Sequence, residues 1–94
     1  MYRHIVLFRL HDGVSSEIVE RAITALQELG THQAGITAWH VAESLDSRKG
    51  RILIEDVSFS SEEAFREFRA SPQHKRVAAL MSTIADWWVG DYIT

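Results

Sequence analysis

The chain has 94 residues, 46% of them hydrophobic, with ten Lys/Arg, thirteen Asp/Glu, a formal charge of −3 and no cysteine. That is the length of one domain, residues 1–94, with too much apolar material for disorder. It excludes disulfides, thiolate chemistry and cysteine-held zinc; no apolar run is long enough to span a membrane, and the scattered basic residues argue against a nucleic-acid surface.

Tyr2 to Leu10 alternates and reads as a first strand. His4, Val6, Phe8 and Leu10 share one face, and Arg3, Ile5, Leu7 and Arg9 share the other. His11-Asp12-Gly13 is a turn signal. From about Ser15 to Leu29 the period becomes helical, with Ile18, Ala22, Ala25, Leu26 and Leu29 as the apolar stripe and Gly30 as the stop. A polar link at 31–35, which contains His32, leads to a second strand over Ile36 to Glu43. There Ile36, Ala38, His40 and Ala42 alternate with Thr37, Trp39 and Val41.

After a polar loop at 44–50, Arg51 to Phe59 reads as the third strand, with Leu53, Val57 and Phe59 on the face of Glu55. A helix begins at Ser60 or Ser61; Ser60 followed by Glu63 fits a capping box. Ala64, Phe65 and Phe68 fall on one side of it, and Pro72 ends it at Ser71. His74 then stands at the start of another helix, Lys75 to Ser82, whose inward side is Val77, Leu80 and Met81. The last strand, about Asp86 to Tyr92, sets Trp87, Val89 and Asp91 against Trp88, Gly90 and Tyr92.

The order β-α-β-β-α-(α)-β is that of an α+β fold, a ferredoxin-like split βαβ with a four-stranded antiparallel sheet. Helices on one face leave the other needing cover, which in so short a chain a partner must supply. The expectation is a homodimer through sheet faces, a dimeric α+β barrel burying about 1,500 Å² or more. Trp39 and one of Trp87 and Trp88 are expected on that face.

His74 is the leading candidate for chemistry, because an imidazole can take and return a proton near neutral pH. His4, among apolar residues of the first strand, needs a partner or water and could orient a substrate oxygen. His40 either lines a cavity or meets the partner, while His11 and His32 fall in turns. Phe8, Phe65 and Phe68 are cavity wall or core; Trp88 or Trp87, and Tyr92 or Tyr2, could meet an aromatic substrate. Arg66 and Arg69 could draw an anionic substrate to the rim. No H-x-x-x-H spacing occurs, so a metal site would need His4, His74 and Glu55 to meet through folding, or Asp12 and Asp91 to hold a hard cation. No metal and no cofactor are expected.

The segments H-I-V-L-F-R-L, V-S-F-S-S-E-E-A-F-R-E-F, S-P-Q-H and V-G-D-Y, in that order, resemble the stress-responsive A/B barrel (Dabb) family. The resemblance implies a dimeric α+β barrel with a cavity between sheet and helices in each protomer. It also implies chemistry like that of the family's plant olivetolic acid cyclase, a cofactor-free aldol cyclisation of a polyketide. By that resemblance His74 matches the catalytic histidine and His4 the first-strand histidine. The catalytic tyrosine falls on Phe68, which has no hydroxyl, and a third pocket histidine falls near Leu53. Cofactor-free monooxygenases share the wider fold. The expected function is a small cofactor-independent enzyme acting on a polyketide or aromatic substrate, with a non-catalytic dimeric ligand-binding domain or a monooxygenase as alternatives. The expected location is cytoplasmic, which the lack of cysteine and of a signal-peptide pattern fits.

Overall fold

The computed structural model describes residues 1–31 and 33–94; the expectation for His32 lies outside the described residues. Its elements are β1 (Tyr2–Leu10), α1 (Ser16–Leu29), β2 (Ile36–Glu43), β3 (Ile52–Phe59), α2 (Glu62–Ala70), α3 (Pro72–Ser82) and β4 (Ala85–Ile93). The strands form one antiparallel sheet in the order β2-β3-β1-β4. This is the ferredoxin-like α+β arrangement, in which each crossover skips one strand. Among the described residues no helix is long and apolar enough to cross a membrane.

Alternation in β1 aims His4, Val6, Phe8 and Leu10 at the helices, and all four are buried. Opposite them stand Val57 and Leu53 on β3, and Asp91, Val89 and Trp87 on β4. Two apolar clusters fill the space under the helices. One gathers Val6, Phe8, Leu10, Val19, Ala22, Leu26, Leu53 and Met81; the other gathers Leu29, Val57, Phe59, Phe65 and Phe68. The buried stripe of α1 runs through Val19, Ala22, Leu26 and Leu29. Ile18, expected in that stripe, is exposed, and Val19 is buried at its N-terminal end instead, while Ala22, Leu26 and Leu29 fall as expected.

Four further expectations are corrected. The cap of α2 is Ser61, whose hydroxyl accepts from the Ala64 N–H at 3.1 Å, so Ser60 and Glu63 form no capping box. The last helix starts at Pro72 rather than Lys75: Ser71, extended at φ −68° and ψ 148°, closes α2 and caps α3 with its hydroxyl on the His74 N–H. Proline at the first helical position lacks only an N–H that would be unpaired there anyway. Leu80, expected inside α3, is exposed, while Met81 is buried.

The fourth correction concerns β2. Its pairing with β3 shifts between Ile36 and Ala38, where one extra residue is inserted. Ile36 opposes Phe59, and Trp39 opposes Val57, so both point towards the helices. Trp39 is therefore not on the open sheet face. Its indole N–H donates to the Leu26 carbonyl at 3.0 Å, and its ring lies over Gly30 and edge-on to Phe68. The face away from the helices instead carries Ile5, Leu7, Ile52, Ile54, His40, Trp88 and Tyr92, as the register of the strands requires. Leu7, Trp88 and Tyr92 are exposed there.

Candidate functional site

Between the two apolar clusters lies a cavity of about 290 Å³. Val6, Phe8, Leu26 and Met81 form one side, Leu29 and Phe65 the other, and His4, Glu55, His74 and Asp91 supply its polar groups. The partly exposed Trp87 and Val89 of β4 mark its rim.

Strand register assembles the polar floor. His4 and Asp91 are directly opposed across β1 and β4, and Glu55 is two residues along β3 from Val57, the other partner of His4. His4 Nδ1 donates to Asp91 Oδ1 at 2.6 Å, and Asp91 Oδ2 accepts the Tyr2 hydroxyl at 2.7 Å. His4 Nε2 faces Glu55 Oε2 at 3.7 Å. Phe65 stacks on Tyr2, with centroids 4.5 Å apart, and lies 4.7 Å from the His4 ring, so α2 holds both against the sheet.

Burial pushes the Glu55 carboxyl up to about 7. Burial, reinforced by the hydrogen bond to the Asp91 carboxylate, pushes the Tyr2 phenol up to about 12. His74 moves the other way: burial lowers it below the ordinary imidazole value, helped by His4 across the cavity and by Arg69. A neutral imidazole facing a cavity is the form that can accept a proton. Its ring is fixed from behind by Phe68, edge-on at 4.9 Å.

Of the residues expected in the site, His74, His4, Phe8 and Phe65 share the cavity wall. Leu53 and Phe68 are fully buried in the core behind that wall, because their strand and helix positions face neighbouring apolar side chains. His40, Trp88 and Tyr92 stand on the opposite sheet face and do not reach the cavity; the inserted residue in β2 turns His40 outward, and alternation in β4 does the same for Trp88 and Tyr92. Arg69 lines the cavity and sits 5.7 Å over the Phe65 ring, whereas Arg66 is paired with Glu62 on the solvent side of α2.

Asp91 and Glu55 enter the site in roles that sequence reasoning missed. Asp91, a candidate cation ligand by sequence, has its two oxygens taken by His4 and Tyr2. The available signal was pattern: Glu55 interrupts an otherwise apolar strand face between Leu53 and Val57. Among the described residues no group of three or more histidine or acidic side chains converges in a way that could hold a metal ion.

The model of a family described as the Stress responsive A/B Barrel Domain matches residues 2–94. An uncharacterized protein of Streptomyces coelicolor is 29% identical over 98 residues, covering 98% of this chain and 98% of that protein. A dimeric ferredoxin-like protein of unknown function from Thermobifida fusca superposes with a TM-score of 0.88 at 24% identity, over 99% of this chain and 90% of that one. SnoaB, a cofactor-independent oxygenase from Streptomyces nogalater, superposes at 0.82 with 15% identity, over 99% of this chain and 91% of its own.

Proposed function

We propose that this chain, which belongs to the Stress responsive A/B Barrel Domain family, is a small enzyme that moves protons on a hydrophobic or aromatic substrate without needing a bound cofactor. His74 is the general base, and His4 orients or polarises a substrate oxygen. The observation that carries this reading is the His74 ring, held neutral by burial, facing His4 across a cavity of about 290 Å³.

The chemistry follows from those two rings. His74 takes a proton from a carbon beside a carbonyl, and the C–H electron pair becomes an enolate. The enolate attacks a second carbonyl of the same molecule, closing a ring. The imidazolium so formed is disfavoured by its buried setting and by nearby Arg69, so it gives its proton back readily to the new alkoxide. This is aldol-type cyclisation of the kind used on polyketides, as by the plant olivetolic acid cyclase. Phe68, where that enzyme's tyrosine falls, supplies no hydroxyl, so any hydroxyl role must be met by another group.

The similarity to a cofactor-independent oxygenase favours a second reading, in which the same base generates a substrate carbanion that reacts with dioxygen. A non-catalytic ligand-binding role is the third. Proton exchange at slowly exchanging aryl ketones in D2O, followed by NMR, separates the first two from the third. His74→Ala should remove that exchange and leave the fold intact; an unchanged rate would overturn the assignment of His74.

The chain is further proposed to act as a homodimer through its open sheet face. Exposed Leu7, Trp88 and Tyr92 on that face support it, as does the dimeric state described for the Thermobifida fusca protein.

A further inference from the structure

The cavity contains a carboxyl group that the proton transfer described above does not use. Glu55 is 4% exposed and lines the cavity, with Val6 and Val41 as its neighbours across the sheet. The His4 ring faces it, 3.7 Å from Nε2 to Oε2. The other side of the His4 ring is committed. Nδ1 meets Asp91 at 2.6 Å, and Asp91 also receives the Tyr2 hydroxyl at 2.7 Å. A carboxylate that accepts from both sides leaves the Nδ1 hydrogen on the ring. At 3.7 Å the Nε2–Oε2 pair lies beyond hydrogen-bond distance, and among the described residues no other donor reaches the Glu55 carboxyl. A buried carboxylate without a donor is costly, so the group rests as the neutral acid.

We propose that Glu55 rests protonated at the floor of the cavity and that its O–H donates to the oxygen of an uncharged carbonyl or phenol ligand. The proposal rests on reading the cavity as a proton-transfer site and names the substrate end that belongs there. Burial, which pushes Glu55 up to about 7, agrees with a protonated resting state. The groups facing it are His4 and, behind that ring, Tyr2 on β1 and Asp91 on β4, with His74 on α3 and Arg69 on α2; α1 and β2 present Leu26, Leu29 and Val41. A ligand carboxylate would meet acids at the floor, so an anionic group belongs at the Arg69 side instead. When His74 removes the carbon proton, Glu55 passes its own proton to the enolate oxygen. The ligand becomes a neutral enol, His74 an imidazolium and Glu55 a carboxylate, and the net charge of the site is unchanged.

The test is a pH titration of the protein with ¹³C-labelled glutamate, compared with Glu55→Gln. The Glu55 carboxyl should remain protonated through mildly acidic pH and ionise near 7. That step should vanish in Glu55→Gln. Ionisation in the ordinary glutamate range overturns the proposal. Should Glu55→Gln fail to fold, the wild-type titration decides alone. None of this needs turnover. An active His74→Ala variant would remove the proton-transfer reading and leave the protonated Glu55 standing, whereas an ordinary Glu55 with His74-dependent exchange intact would remove only this inference.

Discussion

The ring of Phe68 meets the ring of His74 edge-on, with centroids 4.9 Å apart, and is itself fully buried. An apolar edge therefore stands behind the candidate base. Phe68→Tyr would put a hydroxyl into that contact. If it donates to the His74 ring it stabilises the neutral form and lowers the imidazole further. Crowding should cost about 1–3 kcal/mol of stability. An NMR titration of His74 checks this; a midpoint equal to that of the wild type would refute the contact.

Glu55 predicts an unusual dependence of stability on pH. Its carboxyl rises from 4.5 to about 7 on folding. The folded state thus holds the proton more tightly than the unfolded one. The contribution is complete below 4.5 and is lost as pH rises to about 7, for a total of about 3 kcal/mol. His74, lowered on folding, acts in the opposite sense: its contribution is present above the ordinary imidazole range and is lost as pH falls through the folded value. Subtracting the urea-unfolding curve of Glu55→Gln isolates the acid. Wild type should lose stability relative to the variant between pH 4.5 and 7; a flat difference would contradict the shift.

The open sheet face can be tested without disturbing the cavity. Trp88 is 61% exposed and opposes Leu7 across β1 and β4. Trp88→Glu should leave the monomer folded and move the assembly to lower mass at micromolar concentration, by light scattering. An unchanged mass would show that this face is not the contact.

Gly30 is set by its neighbour and not by its backbone. Its φ is −79°, a value open to any residue, yet an added Cβ would overlap the Trp39 ring. Gly30→Ala should destabilise the protein by about 1–3 kcal/mol through overpacking. Combining it with Trp39→Ala should cost less than the sum of the two changes. Additive losses in thermal unfolding would argue against the contact.

The element order was legible because each strand and helix carries its own period and stop: alternation in β1 and β4, Gly30 after α1, Pro72 after α2. That His4 and His74 belong to one pocket comes from the family resemblance, not from any period in the chain. The floor of the site was not legible in the same way. Asp91 belongs to His4 only through antiparallel register, which brings together residues 87 apart in sequence. Glu55 reads in the sequence as a polar residue on a strand face or a possible metal neighbour, and its burial is set by the helices that close over it. The misplacement of Trp39 has a different origin, since strict alternation cannot anticipate an inserted residue.

That irregularity between Ile36 and Ala38 has an evolutionary corollary. It acts as a phase switch for everything downstream in the strand. Excising one residue there would swing His40 beneath the helices and expel Trp39 to the far side, exchanging an indole anchor for a third imidazole on the interior surface. Length variation at this point, more than any point substitution, is the shortest route by which such a scaffold could change what its interior offers a guest molecule.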